Sequence, residues 1–450
     1  MAGNAFFLRN ATMVNEGQTF RGSLLIMDGK IEKVIPGDAP KNIGDYYHRI
    51  NLEGLLLLPG IIDDQVHFRE PGLTHKGHIY SEAKAAVAGG VTSFMEMPNT
   101  QPQTITQKSL EEKFRLGQEK SLANYSFFMG TTNDNLEEVK ATDPNYVCGI
   151  KIFMGASTGN MLVDKPDSLS GIFRHARLPV AVHCEDETTI QKNLVLAKER
   201  FGDQIPLDQH PIIRSHEACI KSSRLAVELA KKFGTRLHLL HLSTADEMSL
   251  LDNTQAVKDK QITAEVCIHH LWFTDADYAN RGMLIKWNPA IKTAADRDAL
   301  RQALNNGLID VVATDHAPHT LVEKQQPYLK CPSGGPMVQH SLLAMLELVN
   351  QGVLTLEQMV TLMCHNPATC FQIKSRGFIR EGYAADLVVI DPHRKQTITK
   401  DNILYHCGWS PMEGVTFDSS VIYTFVNGIP VYEKGNFHES VKGQALEFSR

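Results

Sequence analysis

The stretch Leu55-Leu56-Leu57-Leu58-Pro59-Gly60-Ile61-Ile62-Asp63-Asp64-Gln65-Val66-His67 is an almost unbroken apolar run that ends abruptly in carboxylates, an amide and an imidazole. A strand covered on both faces reads this way, and the polar end is where such a strand delivers chemistry. Seven further runs of the same texture follow: Val91–Met97, Tyr125–Gly130, Gly149–Met154, Leu178–His183, Leu237–His241, Ile262–His270 and Ile309–His316. Segments with a 3.6-residue period lie between them, among them Ser81–Ala88, Ser109–Leu116, Glu217–Phe233 and Ala295–Asn305. Eight such units predict an α/β chain folded as a (β/α)₈ TIM-type barrel. An open doubly wound sheet is disfavoured, because neither Gly-x-Gly-x-x-Gly nor a P-loop is present.

Outward from this centre the texture changes. Phe6–Val14, Gly22–Met27 and Lys30–Ile35 read as short strands, with an Asp28-Gly29 hairpin turn. Near the other end, Asp386–Ile390, Val421–Val426 and Ile429–Tyr432 are β-branched or aromatic, with Asn427-Gly428 as a second hairpin turn. Neither end has strands enough for a stable sheet. Both are therefore expected to join in one small β-sandwich domain, residues 1–54 with 379–450, beside a barrel of residues 55–378.

Composition narrows the function. Of 450 residues, 42% are hydrophobic and 21% charged, as in an ordinary globular protein. The 45 Lys+Arg against 51 Asp+Glu give a net charge of −6 with no basic block, so no nucleic-acid partner is expected. The longest strongly apolar stretch, Leu55–Ile62, is far short of the ~20 residues a membrane span needs. The first residues lack the features of a signal peptide. Eight scattered cysteines (Cys148, Cys184, Cys219, Cys267, Cys331, Cys364, Cys370, Cys407) contain no CxxC pair and read as free thiols of a reducing compartment. A cytoplasmic enzyme is the expectation.

A barrel's reactive groups gather at its C-terminal mouth, so the strand-end polar residues are candidates together. They include His67, Arg69, Asn99, Lys151, His183, His241 and Asp315. A lone strand-end histidine is usually a hydrogen-bonded core residue. Three at equivalent positions, with Asp315, point instead to a hydrolytic metal site, since imidazole and carboxylate suit zinc with an open position for water. Lys151 lies in apolar Gly-Ile-Lys-Ile-Phe-Met, where an unpaired ammonium is costly. It reads either as half of a buried ion pair or as a neutral amine that takes up carbon dioxide, giving a carbamate that bridges two metals. Asp315 also suits a helix N-cap, and His269-His270 carry no assigned role.

The motifs that hold these residues resemble those of the dihydroorotases of the amidohydrolase superfamily. Gln65-Val66-His67-Phe68-Arg69-Glu70-Pro71-Gly72 is similar to the family's HxHxRxPG signature. Met97-Pro98-Asn99-Thr100, Gly149-Ile150-Lys151-Ile152-Phe153, Val182-His183-Cys184-Glu185, His241-Leu242-Ser243-Thr244 and Ala313-Thr314-Asp315-His316-Ala317-Pro318-His319 follow in the family's order. The resemblance runs from about Gly60 to Asp391 and is nearest to type I members. It implies that His67 and Asp315 bind the more buried zinc ion, carboxylated Lys151 bridges, and His183 with His241 hold a second. It also places Arg69, Asn99, Asn288 and His319, with His67, around the substrate, and implies a homodimer. The Gly-rich Pro332–Pro336 matches a backbone contact to the substrate ring. Thr320–Pro336 has the length and the Gly and Pro content of a mobile loop.

One position departs. The family has histidine where this chain has Gln65, and an amide oxygen is a poorer zinc ligand than imidazole. Two metals with Gln65 or water in that place, a one-metal enzyme and an inactive relative are the readings that follow. Lys286 and Ile291-Lys292 also depart from the run the family carries around the asparagine matched by Asn288. The implied reaction is reversible hydrolysis of L-dihydroorotate to N-carbamoyl-L-aspartate, a step of pyrimidine biosynthesis. Asp315 would serve as general base and then acid, and the planar fork of Arg69 would hold the substrate carboxylate. The rivals are another cyclic-amide hydrolase of hydantoinase or allantoinase type, which would not need Arg69, and a non-catalytic scaffold, which Gln65 alone suggests.

Overall fold

Eight parallel strands form the barrel of this computed structural model, which describes residues 5–155 and 161–450. They are β1 (Ile61–Val66), β2 (Val91–Glu96), β3 (Asn124–Phe127, continued by Met129–Gly130), β4 (Ile150–Phe153), β5 (Val180–His183), β6 (Leu237–Leu239), β7 (Ile262–Cys267) and β8 (Val311–Ala313). Each pairs with the next in sequence order. The ring closes where Val66 bridges His316 and the His67 amide donates to the His316 carbonyl at 2.7 Å. Every residue of β1, β2, β4 and β5 is buried, as strands covered on both faces must be. The helices Ile79–Ala88, Gln107–Lys120, His216–Phe233 and Ala294–Asn305 stand where the 3.6-residue period places them.

Two apolar runs divide differently from their sequence reading. Leu56–Pro59 leaves the barrel and pairs with Phe6–Asn15 and Leu387–Asp391, so Leu55–His67 serves two domains. The break falls at Gly60, where a Cβ would lie 2.1 Å from Thr92 Oγ1, so only glycine fits the crossing. An unbroken run of leucines cannot show that change of partner. The seventh run ends as a strand at Cys267, and Ile268–Trp272 turns helical, which carries His269 and His270 off the strand.

The chain ends meet in one nine-stranded sheet of Asn436–Phe437, Ile429–Glu433, Ser420–Val426, Leu387–Asp391, Leu56–Pro59, Phe6–Asn15, Gln18–Met27 and Lys30–Pro36, with His48–Asn51 beside Phe6–Asn15. Both hairpins form at the expected dipeptides: Met27 pairs Lys30 and Val426 pairs Ile429. Their turn residues Asp28, Gly29, Asn427 and Gly428 all have positive φ, the geometry that selects Asp-Gly and Asn-Gly. The last residues return to the barrel, where Leu446 and Phe448 bury with Phe128 and Phe371. Among the described residues no helix is long and apolar enough to cross a membrane, and all eight cysteines are free.

Candidate active site

The strand ends line a cavity whose walls include Gln65, His67, Arg69, Asn99, Lys151, His183, His241, Asn288 and Asp315. The remaining residue expected from the sequence, His319, stands behind Arg69. Side chains drawn from segments as distant as Gln65 and His319 thus meet only because the barrel closes.

On one side imidazoles and a carboxylate face one another at hydrogen-bond distance. His67 Nδ1 lies 2.7 Å from Asn99 Oδ1, so that nitrogen carries the proton and donates to the amide. Its Nε2 lone pair is then directed at Asp315 Oδ1, 3.1 Å away. Burial lowers the His67 pKa, with Asp315 opposing, so a proton is not held there readily. A metal cation held by the two would resolve the clash. Across the cavity His183 Nδ1 is 2.9 Å from His241 Nε2. Burial, aided by the neighbouring His183 and Lys151, pushes His241 well below its ordinary range, and its Nδ1 has no partner among the described residues. His183 Nε2 turns to Glu185 Oε2 at 3.0 Å, and Arg214 grips the same carboxylate. Burial would raise the Glu185 pKa, but Arg214 and His183 outweigh it and hold it at about 2. This carboxylate orients the imidazole from behind, as metal-binding histidines require.

Lys151 is 1% exposed and forms no ion pair with any described carboxylate; its Nζ stands 4.6 Å from the centroid of the Phe153 ring. Burial lowers its pKa to about 8 against the pull of Asp315. The ion-pair reading of Lys151 therefore has no partner here. An amine brought down to about 8 is neutral far more often than an ordinary lysine, and its place between two sets of acceptors fits the carbamate chemistry. Gln65 Nε2 is 3.3 Å from Asp315 Oδ1 and its Oε1 accepts from Cys267 Sγ at 3.7 Å, so the amide occupies the place of an imidazole and is tied up locally. The donor set of imidazole, carboxylate and lysine amine fits two divalent ions, with Gln65 the weakest member.

The opposite side is made of donors. Arg69 is 2% exposed; its Nε donates to Pro318 O at 3.0 Å and its Nη2 lies 3.1 Å from His319 Nε2. Lys76 Nζ donates to His319 Nδ1 at 3.1 Å, so the neutral ring carries its proton on Nε2 and donates to Ser333 O, also 3.1 Å away. Burial, Arg69 and Lys76 together keep His319 uncharged. Among the described residues the Arg69 fork therefore meets another donor and no carboxylate. Burial brings its pKa down to about 10, which leaves it a cation at neutral pH. Asn288 adds an amide oxygen with no partner among the described residues.

The wall contributed by Thr320–Pro336 is pinned by Lys324, whose ammonium donates to Lys286 O, Pro332 O and Gly334 O at 3.2, 3.0 and 2.8 Å. A Cβ on Gly334 would come 2.6 Å from Ala317 O, so glycine alone allows this backbone to approach the cavity. Three site residues, Arg69, His241 and Asp315, have φ of 71°, 38° and 43°, a costly region for side-chain-bearing residues that concentrates at functional sites. Sequence reasoning does not reach Lys76, Lys324, Arg214 or a buried Asp64–His238–Glu265 group beneath the mouth. Lys–His contacts across loops carry no local motif, whereas His238 and Glu265 stand inside strand runs, away from the ends where a barrel gathers its chemistry.

Residues 56–431 match the amidohydrolase family. The chain is 32% identical to a dihydroorotase of Methanosarcina mazei over 91% of its own length and 90% of the relative's. It is likewise 32% identical to a dihydroorotase of Pyrococcus furiosus, over 95% of this chain and 93% of that one. Among solved structures, L-hydantoinase (dihydropyrimidinase) from Arthrobacter aurescens superimposes with a TM-score of 0.91 at 26% identity, covering 98% of this chain and 99% of the other. Dihydropyrimidinase from Brevibacillus agri shares the fold, with a TM-score of 0.86 at 23% identity over 99% and 100% of the two chains.

Proposed function

The chain belongs to the amidohydrolase family, and from that premise we propose that it is a dihydroorotase, interconverting L-dihydroorotate and N-carbamoyl-L-aspartate in pyrimidine synthesis. The observation that carries this reading is Arg69: a buried guanidinium at the cavity wall, in front of another donor and with no carboxylate of its own. A substrate carboxylate supplies the missing anion, and the planar fork suits it bidentately. The identity to dihydroorotases over nearly the whole chain supports the same substrate.

In this mechanism Arg69 binds the carboxylate and fixes the ring. Asn288 Oδ1 accepts from a ring N–H, and the backbone at Gly334 closes over the ring face. His67, Asp315, His183 and His241 would hold two zinc ions with carboxylated Lys151 between them and Gln65 as a weak additional ligand. When bound, the metal supplies Lewis-acid polarisation of the ring amide carbonyl and makes water acidic enough to lose a proton near neutral pH. Asp315 takes that proton and delivers it to the ring nitrogen as the C–N bond breaks, so the products are a carboxylate and a ureido N–H. Asn99 keeps His67 in the tautomer that leaves Nε2 free.

The likeness to L-hydantoinase favours a second reading, an uncharged cyclic amide as substrate. The two separate at Arg69. Arg69→Gln is expected to raise KM for dihydroorotate about 100-fold, the worth of a charge-assisted pair, and to leave hydrolysis of hydantoin or dihydrouracil unchanged. Equal KM for dihydroorotate in both proteins would contradict the carboxylate assignment, and efficient hydantoin turnover by the wild type would favour the second reading.

A further inference from the structure

Beneath the mouth, Asp64 on β1, His238 on β6 and Glu265 on β7 turn one ligand atom each toward a common point, all within 4.8 Å of one another and all buried. His238 Nε2 lies 3.1 Å from Asp64 Oδ2 and 3.5 Å from Glu265 Oε2. The tautomer is fixed from behind. The Thr263 hydroxyl donates to Leu237 O at 3.3 Å, so its oxygen accepts His238 Nδ1–H at 2.8 Å. In the neutral ring the Nε2 lone pair is consequently aimed at two carboxylates. Neither oxygen of Asp64 has a hydrogen-bond partner among the described residues, and neither does Glu265 Oε2. Buried carboxylate oxygens are otherwise almost always hydrogen-bonded; here His238 Nε2 faces them without an aligned hydrogen bond of its own among the described residues. Burial opposes it, but the two carboxylates raise the His238 pKa to about 9, so the place calls for positive charge, either a proton on the ring or an ion between the three side chains.

We propose that Asp64, His238 and Glu265 form a metal site of their own, separate from the one at the mouth, that takes a divalent cation of the zinc type. The spacing supports a small tetrahedral ion. Bonds of ~2.0–2.1 Å place neighbouring ligands roughly 3.3 Å apart, and the two His238 separations, 3.1 and 3.5 Å, straddle that length. Two carboxylates and a neutral imidazole carry two negative charges, which a divalent ion cancels. The supporting contacts that such a site needs are in place: Thr263 on His238, and on the other oxygen of Glu265 the His241 amide at 3.0 Å and Cys267 Sγ at 3.6 Å. Through the His241 amide, the ion would also fix the backbone that carries a mouth histidine.

Zinc alone is the probe. Crystals of the full chain grown with Zn²⁺ are measured on both sides of the zinc absorption edge, and bound zinc is counted for wild type, His238→Gln and Asp64→Asn after dialysis. The expected result is an anomalous peak within bonding distance of all three side chains, and one equivalent of zinc fewer in each folded variant. No peak there, or equal zinc in wild type and folded His238→Gln, overturns the proposal in favour of a His238 imidazolium holding the two carboxylates. If neither variant folds, the wild-type diffraction decides alone: a peak upholds the site and its absence removes it.

Discussion

The two sides of the mouth handle charge in opposite ways. Around His67 and Asp315, a lone pair is pressed against a carboxylate oxygen at 3.1 Å, with the His183–His241 imidazole pair across from them at 2.9 Å. Around Arg69 and His319, donor is pressed against donor, the guanidinium Nη2 against the ring Nε2 at 3.1 Å. Neither arrangement is stable by itself in a buried site, since polar groups there must be matched. One side wants a cation and the other an anion. The difference teaches how the barrel mouth would divide its work under the proposed function: the strand ends would hold the metal, and the loops after β1 and β8 the charge of the substrate, with the reacting bond where the two sides meet.

That contrast can be broken from the acceptor side first. Asp315→Asn keeps the shape but removes the proton carrier, so kcat should fall by about a thousandfold; a fall of less than tenfold in steady-state assays would take Asp315 out of that role. Asn99→Ala frees the His67 ring to rotate and change tautomer. Loss of such an orienting partner weakens metal binding by roughly 10- to 100-fold, which zinc titration against a competing chelator reads directly, and unaltered affinity would show that Asn99 serves only the substrate. On the donor side, Lys324→Met leaves three backbone carbonyls without their donor. KM for the anionic substrate should rise about tenfold with kcat nearly constant, the signature of lost uniform binding; a kcat effect of the same size would place this loop in the chemical step. The smallest change is expected from Gln65→His, which gives the acceptor side another imidazole. Retention of zinc on dialysis should improve by about tenfold or less, and no change would mean that position 65 does not reach the metal.

Much of this division is legible in the amino-acid sequence. The eight apolar runs with polar ends specify the barrel, and the two hairpin dipeptides locate the turns of the end sheet, because both signals are local. The cavity draws in the strand-end residues for the same reason: closure of a parallel barrel brings every strand end to one rim. What local patterns cannot carry is a change of partner within one uniform run, as at Gly60, or a contact between distant loops, as between Lys76 and His319. Position 238 illustrates a third limit. Inside Arg236-Leu237-His238-Leu239-Leu240-His241 the sequence offers two histidines of equal appearance, and only the fold separates the one at the mouth from the one buried in the layer below.

The account stands most directly on turnover of L-dihydroorotate by the purified full chain, measured before and after chelation with bound metal counted on the same sample. It predicts chelator-sensitive turnover that zinc restores, with metal at the mouth lost in step with activity. Metal-loaded protein that leaves dihydroorotate untouched would contradict it, and so would turnover that persists at full rate after every metal ion has been removed.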